Sequence, residues 1–173
     1  MKPTILFTTL IVMAGVNAPH ESLAADAERR AQVAQRGAEV MPFSLKATTH
    51  IFSKSHDGGS QRVIAKNPSD GVQIRLIREH LREIQAHFQR GDFSGPARTH
   101  GPDMPGLAYL EAAKPGQISI AYKDIKSGGQ ITYRSDDPKL VSSLHAWFDA
   151  QLSDHGADAV DGQMHHHAGM PQP

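Results

Sequence analysis

Residues 61–91 read QRVIAKNPSDGVQIRLIREHLREIQAHFQRG, and their pattern changes from that of a strand to that of a helix. Residues 61–66, QRVIAK, are predicted to form a strand that returns from a preceding turn. Residues 67–70, NPSD, break the strand and offer Ser or Asp as a helix cap. The predicted helix covers residues 72–89 and ends before Gly91. Its apolar stripe has helical spacing and consists of Ile74, Ile77, Leu81, Ile84 and Phe88.

The residues before residue 61 predict a hairpin with that strand. Residues 43–55, FSLKATTHIFSKS, alternate, so Thr48, His50 and Phe52 share one face. Residues 56–59, HDGG, supply a turn because glycine tolerates positive φ.

The second half of the chain repeats this plan. Residues 117–124 and 130–135 predict two strands, joined by a turn at residues 127–129, SGG. A helix then opens at residues 136–138, DDP, and stops at Gly156. Its apolar face consists of Val141, Leu144, Phe148 and Leu152.

These elements predict an α+β fold in ββα-ββα order, with an antiparallel sheet from two hairpins and two main helices on one face. The repeated plan is either an internal duplication or two common units that look alike. The other face of the sheet is expected to be solvated, covered by residues 25–41, or used for dimerisation.

Composition restricts the class of protein. The chain has 173 residues, with 18 Lys and Arg against 18 Asp and Glu, so no charge excess points to nucleic acid. It has 11 histidines and no cysteine, which excludes disulfides, a thiolate nucleophile and a cysteine-based zinc site.

The N-terminus predicts a secretory signal. Lys2 precedes an apolar run at residues 5–16, which is too short to span a bilayer. We expect cleavage near Ala24 and export to a bacterial periplasm, with no membrane span after processing. The alternative is an uncleaved N-terminal anchor.

Four segments follow from these patterns. Residues 1–24 are the expected signal peptide and residues 25–41 a polar linker or arm. Residues 42–156 are the expected core, and residues 157–173 are expected to form a disordered His/Met tail.

The tail reads DGQMHHHAGM at residues 161–170 and is the first candidate for chemistry. His165, His166 and His167 offer imidazoles for Cu(II), Ni(II) or Zn(II), and Met164 and Met170 add soft thioethers that favour Cu(I). The alternative is an inert polar end.

The helix at residues 72–89 carries a second candidate. His80, Glu83 and His87 lie on one flank and offer ligands for a borderline ion, although the two histidines are about 10 Å apart along the axis. The alternative is a solvated flank with Glu–Arg pairs. His50 is a further candidate ligand. His145 and His155 are interpreted as structural, His155 because it lies in a last helical turn.

The loop at residues 98–106, RTHGPDMPG, is the third candidate. His100, Asp103 and Met104 lie within five residues on a loop shaped by prolines and glycines. A His–Asp pair can perform general acid–base work, and His100 and Met104 are also candidate metal ligands. Alternatively, Asp103 caps the short helix that follows.

Three segments carry a family resemblance: residues 41–63, MPFSLKATTHIFSKSHDGGSQRV; residues 76–107; and residues 144–156, LHAWFDAQLSDHG. The chain resembles a family of short exported bacterial proteins with His-rich ends. The family has no established activity, although its members are often labelled aspartate carbamoyltransferase. The sequence argues against that activity, because transcarbamylases are much longer and use a Ser-Thr-Arg-Thr phosphate loop. The nearest string here, residues 97–100, reads ARTH.

The leading functional prediction is a periplasmic metal-binding protein, most plausibly a copper buffer or accessory chaperone, with zinc or nickel as alternatives. The second is a small periplasmic enzyme that uses His100 and Asp103. The third is a non-catalytic module that binds a periplasmic protein or itself.

Overall fold

The structure is a computed structural model that describes the backbone of residues 18–163 and the side chains of residues 23–163. The helices are α1 (Ala18–Val40), α2 (Gly71–Gln89), α3 (Ser94–His100), α4 (Leu107–Glu111) and α5 (Pro138–His155). The strands are β1 (Thr48–Ser55), β2 (Gly58–Ala65), β3 (Ser119–Ile125), β4 (Gly128–Arg134) and β5 (Ala159–Asp161). Short 3₁₀ turns lie at Leu45–Ala47 and Gly156–Asp158.

The five strands form one mixed sheet in the order β3-β4-β2-β1-β5. The two predicted hairpins, β1–β2 and β3–β4, meet at the centre of the sheet, where β2 and β4 pair antiparallel. The α+β prediction is therefore confirmed. β5 pairs parallel to β1 and continues the sheet into residues 159–161, in the segment expected to be a tail. Three residues are too few to show a period of two in the sequence.

The core lies between the sheet and the helices α2 and α5. It contains Phe52 and Val63 from β1 and β2, Tyr133 from β4, Leu81 from α2 and Phe148 from α5. The alternate residues of the central strands are half-exposed, and most are polar: Ser60, Arg62, Gln130 and Thr132, with Ile64 as the apolar member. That face of the sheet is therefore mainly polar.

The two main helices begin where the capping pattern predicts. The side chain of Asp70 accepts a hydrogen bond from the backbone N–H of Gln73 at 3.1 Å. Asp137 accepts one from the N–H of Lys139 at 2.8 Å, and Pro138 occupies the first turn of α5.

Two segments differ from the predictions made for them. The first strand begins at Thr48, because residues 45–47 form a 3₁₀ turn in place of the predicted alternation. The region predicted as a loop contains the helix α3 at residues 94–100. α3 is only two turns long, so its apolar spacing is too short to be detected in the sequence.

α1 packs against α3 and α5 rather than on the open face of the sheet. Val33 and Gly37 are its buried residues, and the side chains of residues 23–32 are exposed. The side chains of residues 23 and 24 are both exposed, so cleavage near Ala24 would remove neither of them from the core. No helix within residues 18–163 is both long and apolar enough to cross a membrane.

Candidate functional site

A buried hydrogen-bonded pair, His100 and Asp154, lies at the centre of the candidate site. Nδ1–H of His100 donates a hydrogen bond to Oδ2 of Asp154 at 2.9 Å, and only 2% of either side chain is exposed. The guanidinium of Arg29 binds the same carboxylate through two hydrogen bonds, of 2.6 Å to Oδ1 and 2.9 Å to Oδ2. These bonds leave Nε2 as the remaining ring nitrogen of His100.

Three helices hold this pair in place. His100 is the last residue of α3, Asp154 lies in the last turn of α5, and Arg29 comes from α1. Arg29 also donates to the carbonyl of His100 at 3.3 Å, and Arg36 donates to the carbonyl of Thr99 at 3.5 Å. Because the last carbonyls of a helix lack partners within it, the two arginines dock α1 onto the end of α3.

Two further imidazoles lie beside His100. The ring of His155 is 5.1 Å from that of His100, centre to centre, and 4.7 Å from that of His50, with which it is stacked. Nδ1 of His50 and Nε2 of His155 are buried and have no hydrogen-bond partner among the described residues. We call His50, His100 and His155 the imidazole cluster.

Burial affects the protonation state of the ionisable side chains in and beside the imidazole cluster. It holds the pKa of His50 well below the usual range and lowers the pKa of His155 to about 4. Both rings are therefore neutral at neutral pH. Burial also opposes ionisation of Asp154, but the hydrogen bonds and charges of His100 and Arg29 outweigh it and lower the pKa of that carboxyl.

His100 also lines a cavity of about 210 Å³. Gln151 and Trp147 of α5 form part of its wall, and both are at least nine-tenths buried. Nε2 of Gln151 and Nε1 of Trp147 find no acceptor in the part of the chain that the structure describes. The wall therefore contains two buried donors that a ligand could satisfy.

The flank predicted on α2 also faces this cavity. His80, Glu83 and His87 all line it. Nδ1–H of His87 donates to Oδ2 of Asp92 at 2.6 Å, and the ring of His80 packs edge-on against Phe43. Burial lowers the pKa of His80. The three side chains thus line the cavity, and those of Glu83 and His87 are also exposed to solvent.

The predicted pairing of His100 with Asp103 is wrong. Asp103 is exposed, and the carboxylate partner of His100 is Asp154, which lies 54 residues further along the chain. Asp103 does not cap α4 either, because the N-cap residue is Gly106 and no side chain caps that helix. Met104 is buried in the hydrophobic core and is unavailable as an exposed thioether ligand.

The two histidines of α5, His145 and His155, have different environments. Nε2–H of His145 donates to the carbonyls of Ser55 and Gly58 and so holds α5 against the first hairpin. His145 is therefore a structural residue. His155, also interpreted as structural, instead lies in the imidazole cluster with an unpaired nitrogen.

Sequence reasoning missed Arg29, Asp154 and Gln151. A polar residue on a helix is ordinarily solvated, so the residue types alone do not indicate burial. The one local feature that marks the site is the string Asp154-His155-Gly156 at the end of an amphipathic helix.

Within residues 18–163, no three His, Asp or Glu side chains are arranged to hold a metal ion. The predicted core ligands therefore lie in two places. His50 and His100 belong to the imidazole cluster, and His80, Glu83 and His87 of α2 line the cavity. The tail ligands Met164, His165, His166, His167 and Met170 fall outside the described residues.

Comparison of the chain with protein-family models, with curated proteins and with solved structures found no match.

Proposed function

We propose that the protein binds a small polar molecule in the cavity beside His100, with His100 exchanging a proton with that molecule. The observation that carries this proposal is the His100–Asp154 pair on the cavity wall. A carboxylate bound to Nδ1–H orients the imidazole and fixes its tautomer, which leaves Nε2 for general acid–base work.

The donors in the wall indicate which ligands would fit. Gln151 and Trp147 each present an unpaired N–H, so the ligand should carry acceptor oxygens such as those of a carboxylate, amide or hydroxyl group. Burial of an unpaired donor costs about 1–3 kcal/mol, and a ligand oxygen would recover part of that cost. Glu83, Asp92 and Arg98 also line the cavity, and the excess of carboxylates over cations among them disfavours a ligand with several negative charges.

The test is a binding screen of small carboxylic acids, amides and polyols with the full chain, followed by NMR of the Trp147 indole and the histidine rings. A binder should shift the Trp147 Nε1–H and His100 signals and should lose affinity in the variant Gln151→Met. A screen in which no compound shifts either signal at millimolar concentration would contradict the proposal.

A second candidate function is capture of copper outside the cytosol by the His/Met tail. It is supported by the sequence MHHHAGM at residues 164–170 and by the expected export signal. The chain that leads to the tail is tied to β1, since Gly162 N–H donates to the Phe52 carbonyl and Gln163 Nε2 to the Lys54 carbonyl, both at 2.8 Å.

Titration of the mature protein with Cu(I), Cu(II) and Zn(II) tests this second function. Substitution of all three tail histidines by alanine should remove the binding, and His56→Ala, at an exposed turn, is the matched control. No binding tighter than micromolar with the tail intact would count against it.

A further inference from the structure

We propose that the cavity beside His100 takes a small α-amino acid whose side chain ends in a neutral oxygen, such as that of an amide or a hydroxyl group. This inference rests on the proposed function, because it names the class of ligand for the same cavity. The side chain of the ligand enters the cavity, and its ammonium and carboxylate groups stay at the entrance, beside Glu83 and Arg98.

The buried wall of the cavity suits a neutral oxygen. Nε2 of Gln151 and Nε1 of Trp147 are donors without a partner among the described residues, and only 5% of Gln151 and 1% of Trp147 are exposed. A fully charged group would lose its hydration there, which is costly without an opposite charge beside it. His100 is already paired with the carboxylate of Asp154. The ligand group that reaches the two donors is therefore polar and uncharged.

The size and the apolar part of the wall restrict the rest of the ligand. Ile84 and Phe88 of α2 and Met41 also border the cavity, so part of the ligand is aliphatic. The volume of about 210 Å³ is below the roughly 300–1,000 Å³ of pockets that hold drug-sized ligands, so the ligand is small. A short aliphatic stem with a polar end satisfies both conditions.

Two side chains of opposite charge lie at the entrance. Glu83 of α2 and Arg98 of α3 border the cavity and are exposed to solvent. Neither forms a salt bridge with another of the described residues. The other carboxylate in the wall, that of Asp92, already accepts hydrogen bonds from Nδ1–H of His87 and the backbone N–H of Ser94. Glu83 is therefore left for an ammonium group, and Arg98 for a carboxylate.

The charges of an α-amino acid match this division. Its ammonium and carboxylate groups are attached to one carbon, and the side chain leaves from the same carbon. Charged groups keep part of their hydration at an exposed entrance, and their hydrogen bonds to opposite charges are stronger than neutral ones. A zwitterion also adds no net charge to a cavity lined by more carboxylates than guanidinium groups.

The test measures the affinity of the full chain for L-glutamine and for two analogues that each lack one charged group. Glutaramic acid lacks the ammonium group, and γ-aminobutyramide lacks the carboxylate. Each should bind about 10-fold more weakly than L-glutamine or worse, because it loses a hydrogen bond between charged groups. The readout is the NMR shift of Nε1–H of Trp147, the only tryptophan of the chain.

Two substitutions assign the charged contacts. Glu83→Gln should weaken the binding of L-glutamine about 10-fold and leave that of glutaramic acid unchanged, since glutaramic acid has no ammonium group. Arg98→Gln should weaken L-glutamine similarly and leave γ-aminobutyramide unchanged. The matched controls are Glu79→Gln and Arg75→Gln on α2, because these exposed side chains pair with each other at 3.9 Å and do not line the cavity. Neither control should alter the affinity for any of the three compounds.

The outcomes separate this inference from the proposed function. L-glutamine binding no tighter than its analogues, or equally well to the parent, Glu83→Gln and Arg98→Gln, would overturn the amino acid assignment alone. The proposed function would then stand on whichever other compound shifts the Trp147 and His100 signals. If no compound, L-glutamine included, shifts either signal at millimolar concentration, the proposed function fails and this inference fails with it.

Discussion

His100 and Asp154, from the ends of α3 and α5, form a hydrogen bond of 2.9 Å in a region where both side chains are almost completely buried. Arg29 of α1 closes the arrangement from the solvent side, with about half of its side chain exposed. One carboxylate, that of Asp154, therefore links three helices that are distant in sequence.

Asp154→Ala should lower the free energy of unfolding by about 3 kcal/mol, because it leaves His100 buried without its partner and removes the anchor of Arg29. Urea unfolding followed by circular dichroism measures this loss. Asp103→Ala is the matched control, since Asp103 is exposed, and it should change stability by about 0.5 kcal/mol or less. Equal losses in the two variants would contradict the importance assigned to Asp154.

Acid should destabilise the protein through the imidazole cluster. The pKa of His155 is about 4, below its ordinary value of 6.5, so the unfolded chain binds the proton first as the pH falls. Stability is therefore fully present above about pH 6.5 and is lost progressively as the pH falls to about 4. For His155 alone the loss is about 3 kcal/mol, and the lowered pKa of His50 acts in the same direction.

The measurement is urea unfolding between pH 7 and pH 4 in the presence of a chelator. His155→Gln should flatten the acid dependence, whereas His56→Gln, at an exposed position, should leave it as in the parent. A parent protein equally stable at pH 7 and pH 4.5 would refute this account of the cluster.

Gln151→Met should raise stability by about 1 kcal/mol, because it removes a buried donor without a partner while keeping the shape of the side chain. The same substitution at Gln61 should have the opposite effect, since Oε1 of Gln61 accepts a hydrogen bond from the hydroxyl of buried Tyr133 at 3.1 Å. Thermal unfolding of the two variants compares the signs. Destabilisation by Gln151→Met would indicate that its amide is already satisfied in the folded chain.

Gly106→Ala should destabilise the fold by about 2 kcal/mol or more. Gly106 has a φ of 79°, and an added Cβ would lie 2.1 Å from the carbonyl oxygen of Ser143, where α4 contacts α5. Gly95→Ala is the control, because an added Cβ at Gly95 in α3 meets nothing within 4 Å. That change should be neutral or stabilising by about 0.5–1 kcal/mol. Equal melting temperatures for the two variants would contradict the close approach of α4 and α5.

Much of the fold could be predicted from local patterns. The α2 stripe, the caps Asp70 and Asp137 and the two glycine-containing turns are short-range signals, and each corresponds to an element of the structure. The short elements α3 and β5 could not be predicted, because seven and three residues do not display a period.

The candidate site was predicted only in part. The prolines and glycines around His100 mark it as a candidate, but the nearest acid in sequence, Asp103, is not its partner. The carboxylate that binds it belongs to another helix, and no local spacing reports such a pairing.

The sequence by itself determined the two hairpins, the two capped helices and the supply of histidines, because periodicity, capping and composition act over a few residues. Only the tertiary structure decided which of those histidines meet. Packing of α5 against β1, and of α1 against α3 and α5, places His155 between His50 and His100 and His100 against Asp154, because long-range burial, not chain order, sets the neighbours of a core side chain.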